Sequence, residues 1–157
     1  MHPNTNGMAE QLKCAYGAIS TATAASTGDD TEVNGAALDV NGKYGSLKVA
    51  LQYTTALTED KTLSLTANLQ TADDSSFAVN AEDMGDALTK TAFATGGSGG
   101  TTETGIVELD FDLRGARRYV RIQYTPDLSH TSTDTCTVAA AYVLAGANTQ
   151  TIGSKSN

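Results

Sequence analysis

The chain has no tryptophan, two histidines, two cysteines and two prolines in 157 residues, and aromatic side chains make up only 6% of it. Each scarcity closes a route. His2 and His130 lie in polar stretches without a spaced partner, which argues against a zinc site and an imidazole acid or base. Cys14 and Cys136 form no CxxC pair and have no base nearby, so neither reads as a nucleophile. A disulfide between them requires the first strand to lie beside the last; the preferred reading is two reduced thiols packed as small hydrophobes. No run of about 18 apolar residues is present to span a membrane. Residues 1–12 lack the basic start and apolar segment of a secretory signal, so synthesis in the cytoplasm is expected. There is no Gly-x-Ser-x-Gly elbow, and the glycine-rich stretch 96–100 is not followed by the Lys-Ser or Lys-Thr of a phosphate loop. The expectation is a protein that is not an enzyme and needs no cofactor or metal.

Charge is also one-sided. The formal net charge of −8 argues against nucleic acid or an anionic membrane as partner, because the averaged field repels both. The acids at 29–32 and at Asp73 and Asp74 lack the spacing of a calcium loop and read as solvated turn residues. Asp110 and Asp112 share a face, yet glycosidase work would require a cleft with aromatic platforms that this composition does not supply.

What is present is alternation. Val107, Leu109, Phe111 and Leu113 alternate with Glu108, Asp110 and Asp112, the period of a strand with one dry and one wet face. Val120, Ile122 and Tyr124 oppose Tyr119, Arg121, Gln123 and Thr125. Residues 135–144 are apolar on both faces, as expected near the middle of a sheet. The short link 114–116 reads as a hairpin and 126–134 as a polar loop, so these three strands are expected as one antiparallel block. Earlier strands are expected at 12–20, 33–42, 46–57 and 62–69. A brief one is expected at 77–79, one helical turn at 81–87, and another strand at 88–95.

About nine short strands with turns every 8–12 residues indicate an all-β fold, a single antiparallel β-sandwich of jelly-roll or immunoglobulin-like wiring. A chain of this length suits one domain that buries roughly 70% of the surface exposed when unfolded. The domain is placed at 12–147, between a polar N-terminal arm (1–11) and a polar tail (148–157). Scarce aromatics and abundant Ala, Thr, Ser and Gly predict a thin core of small residues, of a kind often completed by a neighbouring subunit.

All four arginines, Arg114, Arg117, Arg118 and Arg121, fall within eight residues of this acidic chain. They have two compatible readings. In one, Arg117, Arg118 or Arg121 pairs across the expected hairpin with Glu108, Asp110 or Asp112. In the other their planar forks reach a partner's carboxylates.

Residues 69–77 (Leu-Gln-Thr-Ala-Asp-Asp-Ser-Ser-Phe) and 117–122 (Arg-Arg-Tyr-Val-Arg-Ile), followed by an Ala/Val-rich last strand, resemble the small β-sandwich proteins encoded beside major capsid genes in tailed phages. The resemblance covers residues 36–146; the first 30 residues show no match. Several members of that group are capsid cement or decoration proteins, which clamp neighbouring capsomers from outside the shell. The resemblance implies a virion protein on the outer capsid surface, with the major capsid protein as partner and a homodimer or homotrimer as its own state. It also implies Arg114, Arg117, Arg118 and Arg121 as contact residues and the arm over 1–11 as a strap. A rival reading is a carbohydrate- or receptor-binding sandwich of a phage tail or spike, with Tyr44, Tyr53 or Tyr119 as a stacking platform and Asp73 and Asp74 near calcium.

Overall fold

A computed structural model of the chain describes residues 12–41, 43–129 and 133–147. The expected arm over 1–11 with His2, the tail over 148–157, Gly42 of the Asn-Gly turn, and His130 lie outside the described residues. Among the described residues there are nine strands and no helix. They are β1 (Lys13–Thr23), β2 (Val33–Asn34), β3 (Leu38–Asp39), β4 (Tyr44–Leu57), β5 (Thr62–Ala72), β6 (Glu82–Thr95), β7 (Thr101–Asp112), β8 (Tyr119–Leu128) and β9 (Thr135–Ala147).

The strands form two antiparallel sheets. Sheet A has the order β1-β9-β4-β7; sheet B has the order β2-β8-β5-β6, with β3 also pairing to β8. First and last strands are neighbours, and the chain passes from sheet to sheet at nearly every connection. That order is the jelly roll, two Greek keys folded into a sandwich. Only β5 and β6 are consecutive strands that also pair with each other.

The wiring overturns the expected hairpin. β7 pairs with β4 in sheet A, while β8 pairs with β5 in sheet B, so residues 113–118 cross between sheets. The expected three-strand block is therefore split, and β9 lies between β1 and β4. The crossover is tied down by backbone bonds, Leu113 N–H to Gly45 O (3.0 Å) and Val40 N–H to Arg118 O (2.9 Å).

Three local expectations also change. Residues 82–87 of the stretch 81–87, read as a helical turn, belong to the extended β6, whose Glu82, Asp83 and Met84 pair with Thr71, Gln70 and Leu69 of β5. Residues 77–79, read as a strand, are loop; Phe77 and Asn80 take φ of 57° and 51°, values incompatible with an extended ladder. β8 runs through Pro126 to Leu128 rather than ending at Thr125. The Pro126 carbonyl accepts from Asp30 N–H, so its donorless nitrogen points to the side where the β2 ladder has already ended.

The alternation places Leu47, Val49 and Leu51 of β4, and Leu63, Leu65 and Leu69 of β5, wholly inside. Val120, Ile122 and Tyr124 of β8 meet Val138, Tyr142 and Leu144 of β9 across the same space. Each such large side chain contributes about 1.5–3 kcal/mol when fully removed from water. Leucines, β-branched residues and two tyrosines supply the bulk of the core, and small residues expected from the composition are packed among them at Ala67 of β5, Ala94 of β6 and Ala140 of β9. Ala18, Ala22 and Ala24 line the β1 side, where the two sheets approach at the margin.

The cysteines remain free. Although β1 does pair with β9, Cys14 stands opposite Val143 and Cys136 opposite Ala22, so the register separates the thiols along the strands.

Candidate functional site

The arginines stand at one end of the sandwich, on the crossover and the first residues of β8. Arg114, at the tip, folds back on Asp112: its Nε lies 2.9 Å from Oδ2, and Asp112 Oδ1 also accepts the Arg114 backbone N–H at 3.0 Å. The Arg114 guanidinium, followed by its backbone N–H, holds the Asp112 carboxyl down at about 2. Arg118 turns to the other side, placing Nη2 3.1 Å from Asp39 Oδ2 at the end of β3 and its plane 5.1 Å from the Tyr119 ring.

Arg117 and Arg121 face a different neighbour, the loop after β5. The Arg117 backbone N–H donates to Thr71 Oγ1 (2.8 Å), its Nε to Glu82 Oε1 (2.9 Å), and its Nη1 lies 3.3 Å from Asp73 Oδ1. The Glu82 and Asp73 carboxylates raise the Arg117 pKa further. Arg121 donates Nε–H to Gln70 Oε1 (2.9 Å), its register partner on β5, and lays its guanidinium 4.2 Å over the Phe77 ring. A delocalised planar cation suits that stacking, which holds Phe77 in its left-handed backbone conformation.

The loop itself is built on Asp74. Its carboxylate accepts the Ser76 hydroxyl and the N–H groups of Ser76 (3.0 Å), Ala78 (3.1 Å) and Val79 (2.8 Å). These donors, the Ser76 hydroxyl foremost, lower its pKa. Asp73 accepts from Asn80 and Arg117, which lower its pKa in that order. Among the described residues no group of three or more His, Cys, Asp or Glu side chains is placed to hold a metal ion.

The expected ion pairs across a hairpin are absent because β7 and β8 lie in different sheets. Glu108 and Asp110 instead bracket Lys48 on β4, at 3.2 and 3.0 Å. Nor do the three tyrosines of the tail-protein reading share a platform. Tyr53 runs beneath Gly105, where an added Cβ would stand 2.4 Å from its oxygen, and donates to Phe93 O at 2.9 Å, joining the two sheets at their β6–β7 edge. Tyr119 lies on sheet B, and Tyr44 packs partly buried at the start of β4.

The sequence reading missed a second surface, the outer face of sheet A. Tyr16 (65% exposed), Ile19 (61%) and Ile106 (53%) project from it over a floor that includes Ala50, Ala139 and Ala141. Strict alternation sets Tyr16 and Ile19 on opposite faces. A bulge between Tyr16 and Ala18 puts them on the same one. Gly17 occupies the bulge; a Cβ there would lie 2.8 Å from Ala140 O.

No protein-family model and no curated protein matches the chain. Among solved structures the chain is similar to a chain of the T13 particle of infectious bursal disease virus, with 10% identity and a TM-score of 0.49, over 86% of this chain and 31% of that one. It is also similar to the Gt strain of that virus, with 13% identity and a TM-score of 0.43, over 88% of this chain and 34% of that one. A third likeness is to dimeric latent PorU from Porphyromonas gingivalis, with 13% identity and a TM-score of 0.40, over 87% of this chain and 13% of that one. The chain therefore spans about a third of the length of the viral chains.

Proposed function

We propose that the chain is a structural virion protein, a cement or decoration protein that binds the outside of a major capsid lattice and stabilises it by bridging neighbouring subunits. The observation that supports this reading is the convergence of the two stretches that resemble the tailed-phage group. Residues 69–77 and 117–122 are far apart in the chain but form one corner, with Arg121 on Gln70 and Phe77 and Arg117 on Thr71 and Asp73. Most of the side-chain bonds in the corner are made by exposed groups. A partner's carboxylates can therefore compete for the Arg114, Arg117 and Arg118 forks without unfolding anything. A protein that binds only the assembled lattice stabilises it by mass action. In this reading the protein is made in the host cytoplasm and ends on the outer virion surface.

The test mixes the purified protein with shells that lack it, pellets them, and counts copies retained per particle. Saturation at a symmetric number of sites with a raised disruption temperature is expected. Arg117→Ala combined with Arg118→Ala is expected to lower retention at least tenfold at physiological salt. Wild-type protein that stays in the supernatant overturns the reading.

A further inference from the structure

The outer face of sheet A is laid out in rows across β1, β9, β4 and β7. From one end these rows are Thr23-Thr135-Ala56-Thr102, Thr21-Thr137-Thr54-Thr104, Ile19-Ala139-Gln52-Ile106, Tyr16-Ala141-Ala50-Glu108 and Cys14-Val143-Lys48-Asp110. Five rows of four make twenty outward positions. Lys48, Glu108 and Asp110 among them are charged and lie at one corner, where a shorter sixth row, Ala145-Ser46-Asp112, adds Asp112. The rest of the twenty are threonine, alanine, Gln52, Cys14 and large apolar side chains, on a protein of net charge −8.

We propose that this face is the contact between two copies of the chain, packed sheet on sheet about a two-fold axis that runs along the strands between β9 and β4. Two arguments select a second copy. The first is area. Four strands about 4.8 Å apart and five rows about 6.8 Å apart span roughly 650 Å² in projection. One partner's share of a standard interface is about 800 Å² of accessible surface, so the face matches that share in size.

The second argument is complementarity. Two acidic chains repel over most of their surfaces, so close approach requires a face with little charge. A two-fold contact also requires that if one residue meets a second, the second meets the first. About the stated axis β1 lies over the partner subunit's β7. Ile19 then meets the partner's Ile106, Ala139 meets the partner's Gln52, and the Tyr16 hydroxyl is set to donate to the partner's Glu108. The charged corner of each copy falls on the uncharged end of β1 and β9 of the other. Ile19 and Ile106 stand at the two ends of their row with Ala139 and Gln52 between them, so the apolar contacts fall at both margins of the packed sheets.

Sedimentation of the full chain over a range of micromolar concentrations tests this. A species of twice 16.2 kDa is expected for the wild type. Ile19→Asp and Ile106→Asp, each at an exposed position, are expected to weaken dimerisation at least tenfold with unchanged far-UV circular dichroism. Thr66→Asp on the outer face of sheet B is expected to leave it unaltered. In a Cys14→Ala background, Ile19→Cys together with Ile106→Cys is expected to form intermolecular disulfides on oxidation. Within one copy those positions are three strands, about 14 Å, apart and cannot be joined. A wild-type monomer, a trimer, dimers untouched by either aspartate, or failure of the cysteine pair to cross-link each overturn the proposal. The inference stands apart from the virion reading: a monomer that still loads onto shells overturns the dimer alone, and a dimer that ignores shells overturns only the virion reading.

Discussion

The hydroxyls of Tyr142 and Tyr124 cross the sandwich in opposite directions. Tyr142, on β9 of sheet A, accepts the Ile122 N–H at 2.9 Å and donates to Ala36 O at 3.1 Å. Tyr124, on β8 of sheet B, donates to Val138 O at 3.2 Å and lies 3.0 Å from Ser20 Oγ. Each sheet thus bonds to the backbone of the other through a buried phenol. The Tyr142 oxygen lies at the interval between β2 and β3, where that edge of β8 has no ladder partner, and burial pushes its pKa up to about 12.

Tyr142→Phe is therefore expected to cost about 1–3 kcal/mol, because it leaves the Ile122 N–H buried without an acceptor. Tyr124→Phe should cost less, since it removes a donor to a backbone carbonyl. Urea unfolding of the two variants checks the order.

Gly35 lies against the same phenol; an added Cβ would stand 2.7 Å from the Tyr142 oxygen and 2.8 Å from Ile122 Cγ2. Gly35→Ala should destabilise by about 1–3 kcal/mol through overpacking. Gly115→Ala, with open space around it, should be near neutral in the same assay.

Arg121→Lys keeps the charge but loses the planar contact with Phe77 and the Nε–H bond to Gln70. The expected result is about 1 kcal/mol less stability and faster hydrogen exchange at the Ala78 and Val79 amides, which depend on the loop that Phe77 anchors.

The Cys136 thiol is raised to about 11 by burial, while Cys14 is exposed. A thiol reagent at pH 8 should modify one thiol of the folded single chain, at concentrations below those at which it dimerises, and two after unfolding. Cys14→Ala should abolish the native reaction.

Asp112, held at about 2 by Arg114, has a folded pKa below its unfolded value. Its contribution to stability is present above about pH 4 and is lost as pH falls toward 2. Carboxyl titration by NMR should find Asp112 ionising near 2, and higher but still below the ordinary aspartate value in Arg114→Ala, which keeps the backbone N–H bond.

Alternation made the strands legible. Leu47, Val49 and Leu51, or Leu63, Leu65 and Leu69, needed no tertiary information, because side chains on a strand take opposite sides whatever it pairs with. The same rule failed at Tyr16 and Ile19, where a one-residue bulge resets the phase and leaves no signature in an Ala/Gly/Ser stretch. The composition foresaw the small residues of the core, such as Ala67, Ala94 and Ala140, but not how many others would line the outside of sheet A.

The arginine cluster was visible in the chain; its partners were not. The short link 114–116 serves a hairpin or a crossover equally well, and the choice moved Glu108 and Asp110 onto Lys48 and the arginines onto Asp39, Asp73, Glu82 and Asp112. By itself, then, the sequence determined an all-β chain and which residues face inward, since both follow from local period. Only the tertiary structure decided the jelly-roll order, the corner that unites residues 69–77 with 117–122, and the nearly uncharged face of sheet A, because these depend on which strands meet across long stretches of chain.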